Sequence, residues 1–379
     1  MNLIIDKNIA FAKEAFSFFE NTKLVDGRSL INKEVKDADV LIVRSITRVD
    51  AELLEGSKIR FVGTATIGTD HIVLDYLKQK NIQFADAMGC NADSVAEYVF
   101  TALLKIASEK NISLKEKTIG VVGIGNIGSR VVRLAESLGM NVLKNDPPLE
   151  RKGVGSNYVN LNEILKADII TLHVPLSFEG IDKTFHLLNE NNLKEITTNT
   201  ILINTSRGAV IDNFALLKET SKKNFQLIID VWENEPQINN ELLSVTKVAT
   251  PHIAGYSLEG KVNGTKMIYD ALCKFLKINP DWNPELPQIE KTDLILPDGD
   301  TDEKKLYRLF SSIYNIESDD LKMREILKYK QNEQAGYFDL LRKTYPVRRE
   351  FSNFTVNLSE KEKHLNKVLE SFRFKVKPF

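Results

Sequence analysis

The sequence predicts an α/β protein: two lobes built on doubly wound parallel sheets, followed by a smaller α+β domain at the C-terminus. Three observations carry that expectation. Short apolar runs alternate with helical patterns from the N-terminus to about residue 280. A glycine-rich hexapeptide sits between a strand pattern and a helix pattern at 118–138. A break with three prolines, Pro280, Pro284 and Pro287, sets this body apart from the remainder, which lacks the alternation.

The elements follow in order. Residues 3–5, 40–43, 59–64 and 82–84 read as strands, and 10–20 and 73–79 as helices between them. Such alternation gives a parallel sheet with crossover helices. Residues 92–107 read as one long helix, with Val95, Val99, Leu103 and Ile106 at helical spacing. A second alternating unit starts with a strand at 118–122, a helix at 127–138 and a strand at 141–143 that runs out to Asp146. Apolar runs at 168–172, 200–203, 227–231 and 247–249 complete a doubly wound sheet. A helix at 258–276 precedes the proline break. Beyond about 290, helical patterns recur at 303–314 and 359–372 without a catalytic motif, so this part reads as an interaction domain.

Composition narrows the class. At 379 residues the chain exceeds one ordinary core, so about two or three domains are expected. A formal net charge of -1 provides no global field for nucleic acid or an anionic membrane. Cys90 and Cys273 show no metal-ligand spacing and no disulfide framework, which points to a reducing, cytoplasmic setting. The N-terminal MNLIIDKNIA reads as a first strand rather than a signal peptide, and no apolar stretch approaches the ~20 residues of a membrane helix.

Gly123-Ile124-Gly125-Asn126-Ile127-Gly128 matches G-x-G-x-x-G in the required strand–turn–helix context. Gly123 allows the tight turn, Gly125 lets backbone approach a pyrophosphate, and Gly128 lets helix and strand pack closely. Asn126 and Ile127 open the helix, whose unpaired N–H groups and dipole favour phosphate. Asp146 ends the next strand, where a carboxylate accepts from ribose hydroxyls and repels the extra phosphate of NADP. NAD is therefore the expected cofactor. The bland alternative is a plain glycine turn with a surface aspartate.

Three further strands run into polar residues: Asn204-Thr205-Ser206-Arg207-Gly208, Trp232-Glu233-Asn234-Glu235-Pro236 and Thr250-Pro251-His252. Ligands of an open parallel sheet lie beyond the carboxyl ends of its strands, so Arg207, Glu235 and His252 can converge. Together they suit oxidation of a 2-hydroxy acid. His252 takes the hydroxyl proton, since imidazole ordinarily titrates near neutrality. Glu235 holds the ring and stabilises its cation. Arg207 grips the carboxylate with a two-pronged bond that lysine cannot make. Taken singly, each has a structural reading as a surface charge, a loop end or a cap. His173 reads as structural, His71 as a capping residue and Asp93 as a complement to a helix dipole; His186 and His364 carry no signal.

The glycine fingerprint, NTSRGAVIDN at 204–213, DVWENEP at 230–236 and TPHIAG at 250–255 resemble the D-isomer-specific 2-hydroxyacid dehydrogenases over roughly residues 1–280. The resemblance implies a Rossmann NAD domain at 96–254 and a flavodoxin-like substrate domain at 1–95, to which 255–285 returns. It also implies an arginine–glutamate–histidine set, carried onto Arg207, Glu235 and His252.

A closer resemblance, to one branch of that family, spans essentially the whole chain. It rests on Val43-Arg44-Ser45, FVGTATIGTDH at 61–71, Met88-Gly89-Cys90-Asn91, Asn145-Asp146-Pro147-Pro148, HIAGYSLEGK at 252–261 and Arg348-Arg349-Glu350. It implies a small, four-carbon phosphorylated 2-hydroxy acid as substrate, in pyridoxal 5′-phosphate synthesis. It implies a homodimer, with 286–379 as dimerisation domain. Ser45, Thr66 and Tyr256 would bind substrate. Asp146, Asp230 and Gly255 would contact NAD, with backbone near Thr205, Ser206 and Arg207. Val174 stands where a hydroxyl is expected, so its contact would run through the backbone; Ser206 replaces an expected cysteine.

Two rival readings share these residues. A phosphoglycerate dehydrogenase would have the same catalytic set, but its common regulatory domain would show a compact βαββαβ pattern that is not evident after 290. An NAD-sensing corepressor could dispense with the catalytic residues, and this chain keeps all three.

Overall fold

The fold is a computed structural model that describes residues 1–378. Its first sheet comprises β1 (Asn2–Asp6), β2 (Asn21–Val25), β3 (Val40–Val43), β4 (Phe61–Thr64) and β5 (Gln83–Asp86), in the order β2-β1-β3-β4-β5, all parallel. β3 and β4 are buried at every position, because helices cover both faces of a parallel sheet. The helix Leu258–Leu276 supplies part of that cover: Ile268, Tyr269, Leu272 and Cys273 pack with Leu3, Ile5, Val40, Ile42 and Phe61. Gly63 makes room for it, since a Cβ there would lie 2.5 Å from Ile268 Cγ2.

Here the structure departs from the expected 10–20 helix. Only Ala12–Ala15 is helical, and β2 follows at once. β2 reads NTKLV and buries only Val25; an exposed edge strand carries no apolar alternation to detect.

The second sheet comprises β6 (Thr118–Val122), β7 (Asn141–Asn145), β8 (Ile169–Leu172), β9 (Ile201–Asn204), β10 (Gln226–Ile229) and β11 (Val248–Ala249). Their order is β11-β10-β9-β8-β6-β7, again parallel. The chain runs outward from β6 to β7 and then crosses back to β8. The carboxyl ends of β6 and β8 therefore flank a topological switch point, where doubly wound sheets bind ligands.

The C-terminal segment holds a small parallel sheet, β12 (Asp293–Ile295), β13 (Thr355–Leu358) and β14 (Lys375–Pro378), in that order. Its helices are Asp302–Ile313, Ile316–Arg324, Gln331–Lys343 and Asn366–Ser371. The expected helix at 359–372 is a 3₁₀ turn, Glu360–Leu365, followed by the short last helix. Phe310 packs against Phe351, Phe372 and Phe374 at centroid distances of 4.6, 4.8 and 5.8 Å. Phe100, from the long helix Ala92–Lys110, reaches Phe372 at 5.3 Å.

Contacts divide the chain into two units: Met1–Asn91 with Ser257–Ile289, and Ala92–Tyr256 with Glu290–Phe379. The C-terminal segment thus packs as part of the second unit. Gly255 and Tyr256 also belong there, not to the returning segment that the sequence placed at 255–285. The physical reason is the tether described below, which ties their loop to β10 and to the C-terminal segment. Among the described residues no helix is long and apolar enough to cross a membrane.

Candidate active site

The glycine turn joins β6 to the helix Asn126–Ser137. Gly123 has φ +86°, a left-handed conformation, and a Cβ there would lie 2.7 Å from the His173 carbonyl oxygen and 2.9 Å from Val174 Cγ1. A Cβ at Gly128 would meet the Gly123 carbonyl oxygen at 1.9 Å, so helix and turn touch directly. Gly125 differs: nothing lies within 4 Å of its Cβ position, and it and Asn126 are exposed at the helix start. Two glycines close the turn and the third leaves open the approach a pyrophosphate needs, so these residues fit a dinucleotide.

Asp146 ties the second strand end to this turn. Its Oδ2 accepts the Ile124 N–H at 2.8 Å, and its Oδ1 accepts the Leu149 N–H at 3.0 Å as a helix cap. Val174 packs against the core beside the turn. His173 lies between Thr171 Oγ1, 2.9 Å from Nε2, and Thr205 Oγ1, 3.4 Å from Nδ1. Desolvation pulls its imidazole down to about 3, which keeps the ring neutral.

Arg207 follows β9 and precedes the 3₁₀ turn Gly208–Val210. Asn204 organises the approach, its Oδ1 accepting from Ser206 N at 3.1 Å and Ser206 Oγ at 2.8 Å. Thr205 and Ser206 are buried. A Cβ on Gly208 would sit 1.9 Å from Trp232 C and 2.3 Å from Glu233 N. The missing side chain therefore lets the Arg207 turn lie directly on the backbone that leads to Glu235.

Glu235 and His252 meet. His252 Nδ1 lies 2.8 Å from Glu235 Oε2, and Oε1 accepts the Trp232 N–H at 2.7 Å. Burial alone would raise the Glu235 carboxyl, but the charge and hydrogen bond of His252 and the Trp232 N–H outweigh it and hold the group below its ordinary range. His252 itself has φ +59°, a conformation that is rare outside glycine and concentrates at functional sites.

What holds His252 there is Asp230, at the end of β10. Asp230, expected to contact NAD, is 1% exposed. Its Oδ1 accepts from Thr250 Oγ1 at 2.6 Å and Ile253 N at 2.7 Å, and its Oδ2 from Ala254 N at 3.0 Å. Its own carbonyl accepts the His252 N–H at 2.7 Å. The single hydroxyl proton of Thr250 goes to Asp230, so Tyr98 Oη, 2.6 Å away, donates to Thr250. Sequence reading placed Thr250 in the strand-end motif without this role, and it missed Tyr98, which no local pattern marks.

The C-terminal segment contributes too. Arg348 Nη1 donates to Ala254 O at 3.1 Å and Nη2 to Ser94 O at 2.5 Å, its Cζ 4.0 Å from the Tyr314 ring centroid. Arg342 Cζ lies 5.8 Å from the centroid of Tyr256. Asp93 lies in the first turn of the long helix, where an acid complements the dipole, and also pairs with Arg130 and Arg373, each at 2.8 Å.

The remaining expected residues belong to the first unit. Ser45 is exposed just beyond β3, and Thr66 follows β4, its Oγ1 3.1 Å from Thr64 Oγ1. His71 Nε2 contacts Thr64 Oγ1 at 3.0 Å rather than capping a helix. Arg44 pairs with buried Asp6 at 3.1 Å. Burial and the charge of Arg44 together pull the Lys261 ammonium down to about 8. Among the described residues no cluster of candidate ligands could hold a metal.

Comparison with known proteins agrees with this geometry. Residues 93–254 match the D-isomer specific 2-hydroxyacid dehydrogenase, NAD binding domain, and residues 286–370 match a domain of unknown function (DUF3410). The erythronate-4-phosphate dehydrogenase of Proteus mirabilis (strain HI4320) is 43% identical over 361 residues, 94% of each chain. That of Marinomonas sp. (strain MWYL1) is 41% identical over 373 residues, 96% of each. Among solved structures, NAD+-bound 3-phosphoglycerate dehydrogenase from Entamoeba histolytica aligns with a TM-score of 0.62 at 25% identity, covering 76% of this chain and 99% of that one. Aquifex aeolicus D-lactate dehydrogenase, complexed with NAD and lactic acid, aligns at 0.59 and 27%, covering 73% and 96%. The protein is an NAD-dependent dehydrogenase, and its chain belongs to the erythronate-4-phosphate dehydrogenase family of the D-isomer-specific 2-hydroxyacid dehydrogenases.

Proposed function

We propose that the chain oxidises 4-phospho-D-erythronate to (R)-3-hydroxy-2-oxo-4-phosphobutanoate, a step of pyridoxal 5′-phosphate synthesis. The observation that carries the chemistry is the 2.8 Å bond between His252 Nδ1 and Glu235 Oε2. An ionised carboxylate only accepts, so Nδ1 carries its proton and Nε2 has the lone pair that takes the C2 hydroxyl proton. Glu235 then stabilises the imidazolium that forms. Arg207 receives the substrate carboxylate and polarises the carbonyl that develops at C2. NAD held at this site would supply the acceptor for the hydride that leaves C2. Asp146 would meet the ribose hydroxyls and the turn at 123–128 would hold the pyrophosphate, with backbone at Val174, Thr205, Ser206 and Gly255 completing the cofactor contacts.

Support for a phosphorylated substrate comes from the names of the relatives and from cationic and hydroxyl groups in each unit. Ser45, Thr66, Arg44 and Lys261 lie in the first, Tyr256 in the second. The same reading has a homodimer in the cytoplasm, with 286–379 at the interface.

The test is direct. Protein, NAD and 4-phospho-D-erythronate are mixed and NADH absorbance is followed, with 3-phosphoglycerate and D-lactate in parallel. A higher kcat/KM for 3-phosphoglycerate than for 4-phospho-D-erythronate would reject the substrate assignment. Light scattering on the same sample tests the dimer.

A further inference from the structure

The helix Gln331–Lys343 brings a cation to the catalytic loop. Arg342 Cζ lies 5.8 Å from the Tyr256 ring centroid, and its guanidinium interacts electrostatically with Tyr256 and Glu235. Tyr345 steadies Tyr256 edge-on, at 5.8 Å between centroids and 79° between planes. Arg342 also hydrogen-bonds the Tyr256 side chain and feels the charge of Asp339 in its own helix, while its Nε is buried without a hydrogen-bond partner. Glu235 is already engaged at both oxygens, by His252 and by Trp232. A largely desolvated guanidinium with an unpartnered N–H is costly to maintain, and its planar fork suits a phosphate or carboxylate.

The surroundings hold that fork in place. Arg348 of the same segment pins the loop through Ala254 O, and Asp230 pins it from beneath through Ile253 and Ala254. Residues 252–256 are therefore gripped from both sides, within one unit that also contains Arg342.

We propose that Arg342 is a substrate-binding residue supplied by the C-terminal segment, donating to the anionic phosphoryl end of the substrate beside Tyr256 while Arg207 takes the carboxylate. This rests on the phosphorylated substrate proposed above. It gives the C-terminal segment a part in specificity beyond any part in association. The division of labour is chemical: two arginines at the two anionic ends of one short molecule, with the general base at the carbon between them.

The experiment uses the full chain with saturating NAD and compares 4-phospho-D-erythronate with unphosphorylated D-erythronate. Wild type, Arg342→Gln and Arg342→Lys are assayed, and inorganic phosphate is titrated as an inhibitor. Loss of a charge-assisted hydrogen bond is expected to lower the kcat/KM ratio of phosphorylated to unphosphorylated acid roughly tenfold to a hundredfold in Arg342→Gln, mainly through KM. Arg342→Lys should recover part of that loss, and inhibition by phosphate should weaken in parallel. If the glutamine variant does not fold, the lysine variant carries the test, with a smaller fall in the ratio expected. An unchanged ratio overturns the proposal. So does an equal loss on both acids carried in kcat with an altered pH profile, which would assign Arg342 to positioning Glu235. A wild type that shows no preference for the phosphorylated acid removes the substrate reading first, and is seen before any variant is made.

Discussion

The His252 ring nitrogen Nδ1 and Glu235 Oε2 are 2.8 Å apart, and the other oxygen of that carboxylate accepts the Trp232 backbone N–H at 2.7 Å. The carboxylate is thus fixed by main chain before it meets the imidazole, so ring orientation follows from the strand end rather than from side-chain freedom. His252→Ala removes the proposed base and leaves the glycine turn intact. Turnover is expected to fall by roughly 10²- to 10⁴-fold, with NADH binding, followed by nucleotide fluorescence, retained. Near-normal turnover would exclude His252 as the base.

Glu235 also makes stability depend on pH. Its folded carboxyl titrates below the ordinary 4.5. As pH falls, the unfolded chain therefore takes up this proton first. The stabilisation is complete above the ordinary value and disappears as pH drops through the folded one. Glu235→Gln lacks it. In urea unfolding, the gap between wild type and this variant should be widest near neutrality and close in acid; a gap that widens in acid contradicts the assignment.

Asp146 bonds Ile124 N–H in the glycine turn and caps the following helix through Leu149. On the cofactor role proposed for Asp146, Asp146→Ala removes the carboxylate that would repel the 2′-phosphate of NADP. The kcat/KM preference for NAD over NADP should shrink about tenfold or more, and loss of the cap should cost about 1 kcal/mol of stability. An unaltered cofactor ratio would show that discrimination lies elsewhere.

Gly208→Ala tests the contact that brings two catalytic segments together. The new methyl would sit 1.9 Å from Trp232 C, and main chain on both sides has little room to yield. A loss of about 1–3 kcal/mol is expected from overpacking, seen as a lower melting temperature. Turnover should fall as well, because the turn that carries Arg207 must shift. A variant with wild-type melting and kinetics would mean that the two segments move apart freely.

Arg348→Met asks whether the C-terminal segment supports the loop. Arg348 is 4% exposed, bonds Ala254 O and Ser94 O, and faces the buried carboxylates Glu97 and Asp319. Removing the guanidinium leaves the buried Ala254 and Ser94 carbonyls without their donor, at a cost of about 1–3 kcal/mol each. Chemical denaturation should show that loss, with kcat reduced through the displaced 252–256 loop. Unchanged stability would make the contact incidental.

The sequence alone determined the parts whose cause is local. Arg207, Glu235 and His252 were legible because apolar runs of strand length end in polar residues, and a parallel sheet presents its strand ends to ligands. The glycine turn was legible because its spacing answers to backbone sterics within six residues. β2 and the C-terminal sheet were not: short, half-exposed strands such as NTKLV and the charged β14 carry no period. Tertiary structure alone decided how the site is held. Tyr98 meets Thr250 across 152 residues, and Arg348 meets Ser94 across 254. No local pattern encodes such pairs, because each polar group is satisfied only where folding brings distant segments together. The candidate catalytic residues could therefore be named from their own neighbourhoods in the chain, whereas Asp230 beneath their loop and Arg342 beside it became visible only once that loop had been packed.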